Sequence, residues 1–92
     1  MTLTIEHRPD LSRFQVVIDG RTCVVDYELA AGVMAITHTE VDPLIGRRGI
    51  AGAMVQAALD HARSEGLKVN PMCSYARVYM ERHPETLDLM TA

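Results

Sequence analysis

Apolar and polar residues alternate over most of the first half of the chain, a spacing typical of β-strands that bury one face. Four such runs occur, at residues 2–7, 13–18, 21–29 and 33–41. The Asp19-Gly20 pair is a strong signal for a two-residue hairpin turn. Ala30-Ala31-Gly32 turns the chain again before the last run. These patterns predict an antiparallel meander of three to four strands.

The spacing of apolar residues changes in the second half of the chain. Residues 50–65 contain no proline and place apolar side chains on one stripe, which predicts a helix that Gly66 terminates. Residues 68–72 predict a short strand. We expect Ser74 to cap a second helix that ends near Arg82, because Pro84 disfavours helix at the residue before it. The fold class is therefore α/β, a meander followed by helix, strand and helix.

Single residues outside these patterns receive simple interpretations. We expect Cys23 to lie in the core, and His7 and His61 to lie at the surface without a further role. The methionines are expected to fill the core, because their flexible side chains suit irregular gaps. They stand at positions 54, 72, 80 and 90.

Composition limits the classes of function. At 92 residues, with 48% hydrophobic and 23% charged residues, the chain is expected to form one globular domain, 1–92. A net charge of −3 gives no drive toward nucleic acid, and no membrane-length apolar run is present. Cys23 and Cys73 make no disulfide framework and no metal-ligand spacing, so we expect no metal site and a reducing, cytoplasmic location.

The stretch from Glu40 to Gly52 joins a predicted strand to a predicted helix and is rich in glycine and arginine. Its glycines and arginines are Gly46, Arg47, Arg48, Gly49 and Gly52. A helix start presents unpaired backbone N–H groups and the positive end of the helix dipole, which favour a phosphate. Glycines let the backbone approach such a ligand, and arginines add positive charge. We therefore predict a local anion site here.

Five blocks of residues stand in order along the chain. They are His38-Thr39-Glu40-Val41, the glycine turn, Gly49-Ile50-Ala51-Gly52, Cys73-Ser74-Tyr75 and Tyr79-x-x-Arg82-His83-Pro84-Glu85. With the element order, they resemble the minimal, single-domain subfamily of the GNAT superfamily of acyl-CoA-dependent N-acetyltransferases. Gly49-Ile50-Ala51 matches the second half of the superfamily fingerprint Arg/Gln-x-x-Gly-x-Gly/Ala. The first position of the fingerprint departs from the family, because it falls on Gly46.

The resemblance implies acetyl-CoA (CoA) as the cofactor, held in a gap between two diverging strands. Val41 would present its backbone to the pantetheine arm, and residues 46–52 would cradle the pyrophosphate. Residues 73–75 would lie near the thioester. The expected cofactor contacts are Val41, Gly46, Arg47, Arg48, Gly49, Ile50, Ala51, Gly52, Ser74 and Tyr75.

The resemblance also implies catalytic candidates, each with a plain structural alternative. Glu40 is the first candidate for a general base and His38 the second, while either could be an ordinary strand residue. Cys73 could be a nucleophile, a neighbour of the thioester or a buried apolar residue. Tyr79 could protonate the leaving thiolate or simply pack on its helix, and Tyr75 replaces it if the register differs.

The expected function is acetyl-CoA-dependent transfer of an acetyl group to an amine. Because the chain is short, no segment is available to cover the acceptor, which suits a lysine side chain or terminus of a protein. The alternative is a non-catalytic acyl-CoA-binding or sensing module. Nucleic acid and membrane are not expected partners, and the oligomeric state stays open.

Overall fold

The computed structural model describes residues 4–42 and 49–91, which form a five-stranded sheet, two α-helices and two short 3₁₀-helices, Pro9–Leu11 and Pro84–Leu89. The elements, in chain order, are β1 (Glu6–Arg8), β2 (Arg13–Ile18), β3 (Arg21–Ala30), β4 (Val33–Glu40), α1 (Ile50–Ser64), β5 (Lys68–Pro71) and α2 (Ser74–Arg82). The strand order is β1-β2-β3-β4-β5. The first four strands pair antiparallel, whereas β5 runs parallel to β4 after the α1 crossover. The predicted α/β fold is confirmed.

Two tight turns produce the meander. Asp19 and Gly20 both take the left-handed conformation, with φ of 52° and 75°, as a two-residue hairpin turn of this type requires. Ala31 and Gly32 repeat this arrangement between β3 and β4, with φ of 53° and 77°. The left-handed conformation of both central residues gives each turn a twist that matches the right-handed twist of the flanking strands.

The core lies between one face of the sheet and the two helices. From α1 it includes Ile50, Met54, Val55, Ala58, Leu59 and Ala62, and from α2 it includes Ala76 and Met80. The strands contribute alternate residues such as Phe14, Cys23, Val25 and Tyr27 to the same cluster. The opposite face of the sheet has no helix of the described part on it. The side chains of Val17 and His38 lie on this face and are therefore exposed.

An extra residue in β4 reverses the alternation of its side chains. Tyr27 of β3 pairs with Ile36, but the preceding residue Asp26 pairs with His38, so Thr37 is left as a bulge. Before the bulge, Met34 and Ile36 are fully buried toward the helices. After it, His38 shares the uncovered face of Asp26. This change of direction determines which residues of β4 reach the candidate site.

Several local expectations are corrected. Met72 is 61% exposed and does not fill the core, because β5 ends at Pro71 and the chain turns outward. Cys73, not Ser74, caps α2, since its sulfur accepts the N–H of Ala76 at 3.3 Å. The expected strand at residues 2–7 is shorter in the described part, where β1 begins at Glu6.

His7 and His61 were expected to have no role, which is wrong. His7 stacks on Phe14 with a ring distance of 4.2 Å and an interplanar angle of 5°. Its Nε2 shares a hydrogen bond with the hydroxyl of Tyr27, and the His61 ring of α1 meets it edge-on at 4.4 Å. The two histidines therefore attach the edge strand β1 to α1. None of the described helices is long and apolar enough to cross a bilayer.

Candidate active site

The strands β4 and β5 diverge after a short paired segment. Their register runs from Val33 opposite Lys68 to Ile36 opposite Pro71 and stops there, although β4 continues to Glu40. The carbonyl of Ile36 then accepts two N–H groups, from Met72 and from Cys73, each at 3.0 Å. In the described part of the chain, no strand pairs with β4 on this side beyond that point. The two strands thus form a fork with a free backbone edge, as the resemblance implied.

The fork holds a threonine and a cysteine in contact. The Thr39 hydroxyl oxygen lies 3.3 Å from the Cys73 sulfur. Because of the bulge at Thr37, Thr39 pairs with the core-facing Val25 and points toward the helices. The N–H of Ala76 fixes the sulfur from the other side. Cys73 is half-buried, and contacts with Thr39 of β4 and Ala76 of α2 hold its sulfur in place. It is therefore not simply a small apolar residue of the core.

Glu40 and His38 extend from the same end of β4 but on the uncovered face. Their side chains are 71% and 57% exposed, and His38 Nε2 lies 3.5 Å from Glu40 Oε2. Asp26, which pairs with His38 across the strands, is held by Arg13 at 2.8 Å. The carboxylate of Glu40 thus stands in solvent beside the fork with an imidazole as its immediate neighbour. An amine that arrives from solvent can reach both groups.

A cavity of about 220 Å³ lies between the first turn of α1 and the length of α2. Gly49 and Gly52 line it on one side, and Tyr75, Tyr79, Arg82 and His83 line it on the other. Gly49 takes a left-handed φ of 72° at the N-cap of α1. A Cβ at residue 52 would lie 3.4 Å from Cε2 of Tyr79 and 3.7 Å from the hydroxyl of Tyr75. The missing side chain therefore keeps space open between the helices.

Tyr79 is held in this cavity by two neighbours. Its hydroxyl donates to Gln56 Oε1 at 2.6 Å, and Gln56 Nε2 donates in turn to Asp60 at 2.9 Å. The His83 ring stacks on the phenol at 3.9 Å. Burial raises the pKa of Tyr79, and the negative charges of Glu85 and Asp60 raise it further. The phenol therefore stays protonated throughout the neutral pH range.

The structure brings together some of the sequence-predicted residues and separates others. Cys73 lies in the fork, whereas Tyr75 and Tyr79 line the cavity beside α1. Ile50 and Ala51 are buried and anchor α1 to the core, so only their backbone can face a ligand. Val41 is half-buried at the end of β4, and Ser74 is exposed on the first turn of α2. Gly46, Arg47 and Arg48 lie outside the described residues.

Three residues of the site received no functional role from sequence reasoning. They are Thr39, Gln56 and His83. Thr39 and His83 fall inside the recognised blocks, but an undetected bulge hides the direction of Thr39. Gln56 stands four residues after Gly52, so both are expected on the same face of α1. That spacing is the one signal in the sequence that could have linked Gln56 to the glycine turn.

The chain is similar to a known family over most of its length. The family model described as GCN5-related N-acetyl-transferase matches residues 13–89. Protein NATD1 of Mus musculus is 32% identical over 85 residues, a region that covers 89% of this chain and 77% of that protein. Protein NATD1 of Xenopus tropicalis is 30% identical over 86 residues, with coverage of 90% and 79%.

The fold is also similar to that of a GCN5-like protein from Staphylococcus aureus, whose solution structure was determined by NMR. The superposition covers 98% of this chain and 89% of that chain, with a TM-score of 0.79. The sequence identity is 24%, so this likeness concerns the fold alone. It extends to the mixed sheet and the two helices that border the fork.

Proposed function

Because this chain belongs to the GCN5-related N-acetyltransferase family, we propose that it transfers an acetyl group from acetyl-CoA to an amine at the fork between β4 and β5. One observation carries the proposal. β4 has no β5 partner after Ile36, Thr39 contacts Cys73 beyond that point, and Glu40 is the last residue of the same strand. The proposal therefore assigns the thioester to the fork and the base to the end of β4.

The described residues fit the CoA moiety in two respects. The unpaired edge of β4 offers backbone donors and acceptors to the amides of the pantetheine arm, as an added strand would use them. Gly49 and Gly52 leave room for the chain of the cofactor beside the start of α1. We assign the pyrophosphate to the turn at residues 46–52 and the backbone contact to Val41. The cofactor supplies the activated acetyl group.

Glu40 is assigned as the general base, with His38 as its partner or substitute. An amine that is protonated in water must lose a proton before its nitrogen can attack the acetyl carbon. Glu40 is exposed to the solvent from which the acceptor arrives, and His38 lies at 3.5 Å from it. The proton can pass to the carboxylate directly or through a water molecule. Because Glu40 is exposed, an acceptor amine at the end of a long, flexible side chain can reach it.

Tyr79 is assigned as the proton donor to the departing CoA thiolate. A raised pKa keeps its proton in place at neutral pH, so the phenol is available to donate that proton to the sulfur as the carbon–sulfur bond breaks, and the phenolate then regains a proton from solvent. The hydroxyl donates to Gln56 in the structure, so this hydrogen must turn from Gln56 to the sulfur. We assign direct transfer to the amine, with Cys73 beside the thioester.

The acceptor is proposed to be a lysine side chain or the terminus of a protein. Glu40 and His38 stand on the face of the sheet that no described helix covers. A closed pocket for a small molecule is therefore not formed around them by the described residues. An accessible side chain or terminus on another protein can approach this surface without a movement of the helices.

The test combines titration calorimetry with acetyl-CoA and turnover on lysine-containing peptides. We expect saturable binding by the wild type and by Glu40→Gln, while turnover of this variant falls at least 100-fold, in the range that general-base catalysis contributes. Glu28→Gln is the matched control. Glu28 is an exposed carboxylate on β3, and its side chain lies on the same face of the sheet as that of Glu40. Binding without turnover in the wild type would favour the acyl-CoA-binding module, and no binding would refute the proposal.

A further inference from the structure

The face of the sheet that no described helix covers carries side chains in rows across the strands. One row, in register on β2, β3 and β4, consists of Arg13, Asp26 and His38. Glu40 stands one row further along β4, on the same face, because the bulge at Thr37 turns both His38 and Glu40 outward. Asp26 and Glu40 are therefore diagonal neighbours, at a spacing of about 7–8 Å that a long side chain can bridge. A guanidinium placed at Asp26 thus has a second carboxylate within reach.

The guanidinium of Arg13 is bound by Asp26 and not by Glu40. Its Nε donates to Asp26 Oδ1 at 2.8 Å, and its Nη2 donates to Oδ2 at 3.5 Å. The hydrogen bond with Asp26 and the charge of that carboxylate raise the pKa of Arg13, and the negative charge of Glu40 raises it further. Glu40 is thus close enough to attract Arg13, yet no hydrogen bond or ion pair joins these two described side chains.

The arginines of the strands follow one pattern. Each of the three on the described strands is bound by an aspartate at 2.8–2.9 Å, in the pairs Arg8–Asp10, Arg13–Asp26 and Arg21–Asp42. Glu40 takes part in none of these pairs, and its hydrogen-bond partner in the described part of the chain is His38. The distribution of ion pairs leaves the carboxylate of Glu40 open to solvent.

An ion pair between Arg13 and Glu40 would interfere with the role assigned to Glu40. A carboxylate that accepts hydrogen bonds from a guanidinium is a weaker base than a free one, because the cation stabilises its charged form. An unpaired cation beside Glu40 would also repel the protonated amine of an arriving acceptor. The pair with Asp26 removes both effects, because it occupies donors of Arg13 and neutralises its charge.

We propose that Asp26 is a positioning residue, which holds Arg13 away from Glu40 and so keeps the carboxylate of Glu40 free to accept the proton of the amine. This inference rests on the proposed function and adds to it a residue that acts through two others. Without the carboxylate of Asp26, the guanidinium of Arg13 turns to Glu40, its diagonal neighbour across the strands. The loss of Asp26 is then felt at Glu40, and Arg13 is the side chain that transmits it.

The first experiment measures kcat/KM on lysine-containing peptides for the wild type, Asp26→Asn, Arg13→Gln and the double variant. Asp26→Asn should lower it about threefold to fivefold, because an exposed ion pair competes only modestly for Glu40. The double variant should return to within about twofold of the wild type, since it lacks the arginine, whereas a merely structural role for Asp26 predicts that the two losses add. Glu28→Gln is the control, because it removes a carboxylate two residues away and releases no arginine. Thermal unfolding of each variant checks that the fold is kept.

The second experiment locates Arg13 by NMR and needs no turnover, because its Nε–H resonance responds to the group that accepts this hydrogen. In the wild type, Glu40→Gln should shift the resonance no more than Glu28→Gln does. In the Asp26→Asn protein, Glu40→Gln should shift it clearly. The inference is wrong if this second shift is absent, or if the double variant is as slow as Asp26→Asn. If the resonance behaves as expected and the wild type acetylates no peptide, the hold of Asp26 on Arg13 stands and the proposed function fails.

Discussion

The hydroxyl oxygen of Thr39 lies 3.3 Å from the sulfur of Cys73, across 34 positions of the chain. This contact joins the end of β4 to the first turn of α2 at the point where β4 and β5 separate. The same sulfur accepts the N–H of Ala76 and so caps the helix. Cys73 thus stabilises the site that the reaction is assigned to, whatever its chemical role.

Replacement of Cys73 should separate its structural role from its chemical role. Cys73→Ala removes the cap of α2 and is expected to lower the free energy of unfolding by about 1 kcal/mol. Cys73→Ser keeps an oxygen that can accept the N–H of Ala76, and serine is a preferred cap, so its stability should match or exceed the wild type. Urea unfolding of the three proteins checks this, and equal losses for both variants would contradict the capping role.

The same variants test covalent chemistry at Cys73. Direct transfer predicts that the intact mass of the wild type is unchanged after incubation with acetyl-CoA and removal of the ligand. A gain of one acetyl group, absent in Cys73→Ala, would instead identify Cys73 as a nucleophile.

Gly52→Ala should raise stability and lower affinity together. The added Cβ lies 3.4 Å from Tyr79 and 3.7 Å from Tyr75, which is ordinary contact, so the fold has room for it. Alanine favours a helix interior over glycine by about 1 kcal/mol, and the unfolding midpoint should rise accordingly. The methyl group occupies part of the cavity, so the dissociation constant for acetyl-CoA should increase. Calorimetry and thermal unfolding measure the two effects.

Gly66 provides the control for the glycine at position 52. It stands just after α1 with a left-handed φ of 69° and is not among the residues that line the cavity. Gly66→Ala should therefore lower stability by about 1 kcal/mol and leave the affinity for acetyl-CoA unchanged. A loss of affinity in both variants would show that Gly52→Ala acts through the fold in general rather than through the cavity.

Tyr79→Phe should change both turnover and the way in which the free energy of unfolding depends on pH above 9. In the unfolded chain the phenol ionises near its ordinary pKa of 10.0, whereas burial raises this pKa in the fold. The wild type therefore keeps the contribution of the neutral phenol below pH 10 and loses it as pH rises through the folded pKa. Phenylalanine cannot ionise, so the variant should lose less stability between pH 9 and about 11.

The ionisation of Tyr27 supplies the comparison for this experiment. Burial also raises the pKa of Tyr27, so Tyr79→Phe still loses some stability at alkaline pH.

Turnover of Tyr79→Phe should fall while the dissociation constant for acetyl-CoA stays within about threefold of the wild type, if the phenol acts on the leaving group. An unchanged turnover would remove Tyr79 from the mechanism and leave it with a packing role.

His7→Phe should make the protein less sensitive to acid. Burial lowers the pKa of His7 below 6.5, the charge of His61 lowers it further, and Glu65 opposes both. The stability that comes from neutral His7 is thus fully present above pH 6.5 and is lost as pH falls through the folded pKa. Phenylalanine keeps a ring to stack on Phe14 and cannot charge. Its unfolding midpoint should fall less between pH 7 and 5 than that of the wild type, although it starts lower without the bond to Tyr27.

Much of the fold follows from short-range patterns in the sequence. The strand from Arg13 to Ile18 and the turn at Asp19-Gly20 were predicted within a residue, because alternation and turn chemistry act over a few positions. The long helix was expected at residues 50–65 and ends at Ser64. The order of elements and the glycine turn were enough to point to the family. These are properties that neighbouring residues determine among themselves.

The geometry of the candidate site depends on contacts between distant parts of the chain. The bulge at Thr37 exists because β3 and β4 pair in two registers, and it turns Glu40 to the open face while Thr39 meets Cys73. The hydrogen bond between Gln56 and Tyr79 forms only because α1 and α2 pack side by side on the same face of the sheet. Sequence alone determined the strands, the helices and the family. Tertiary packing decided which side chains meet, because contact across the sheet depends on register and direction, which no local pattern records.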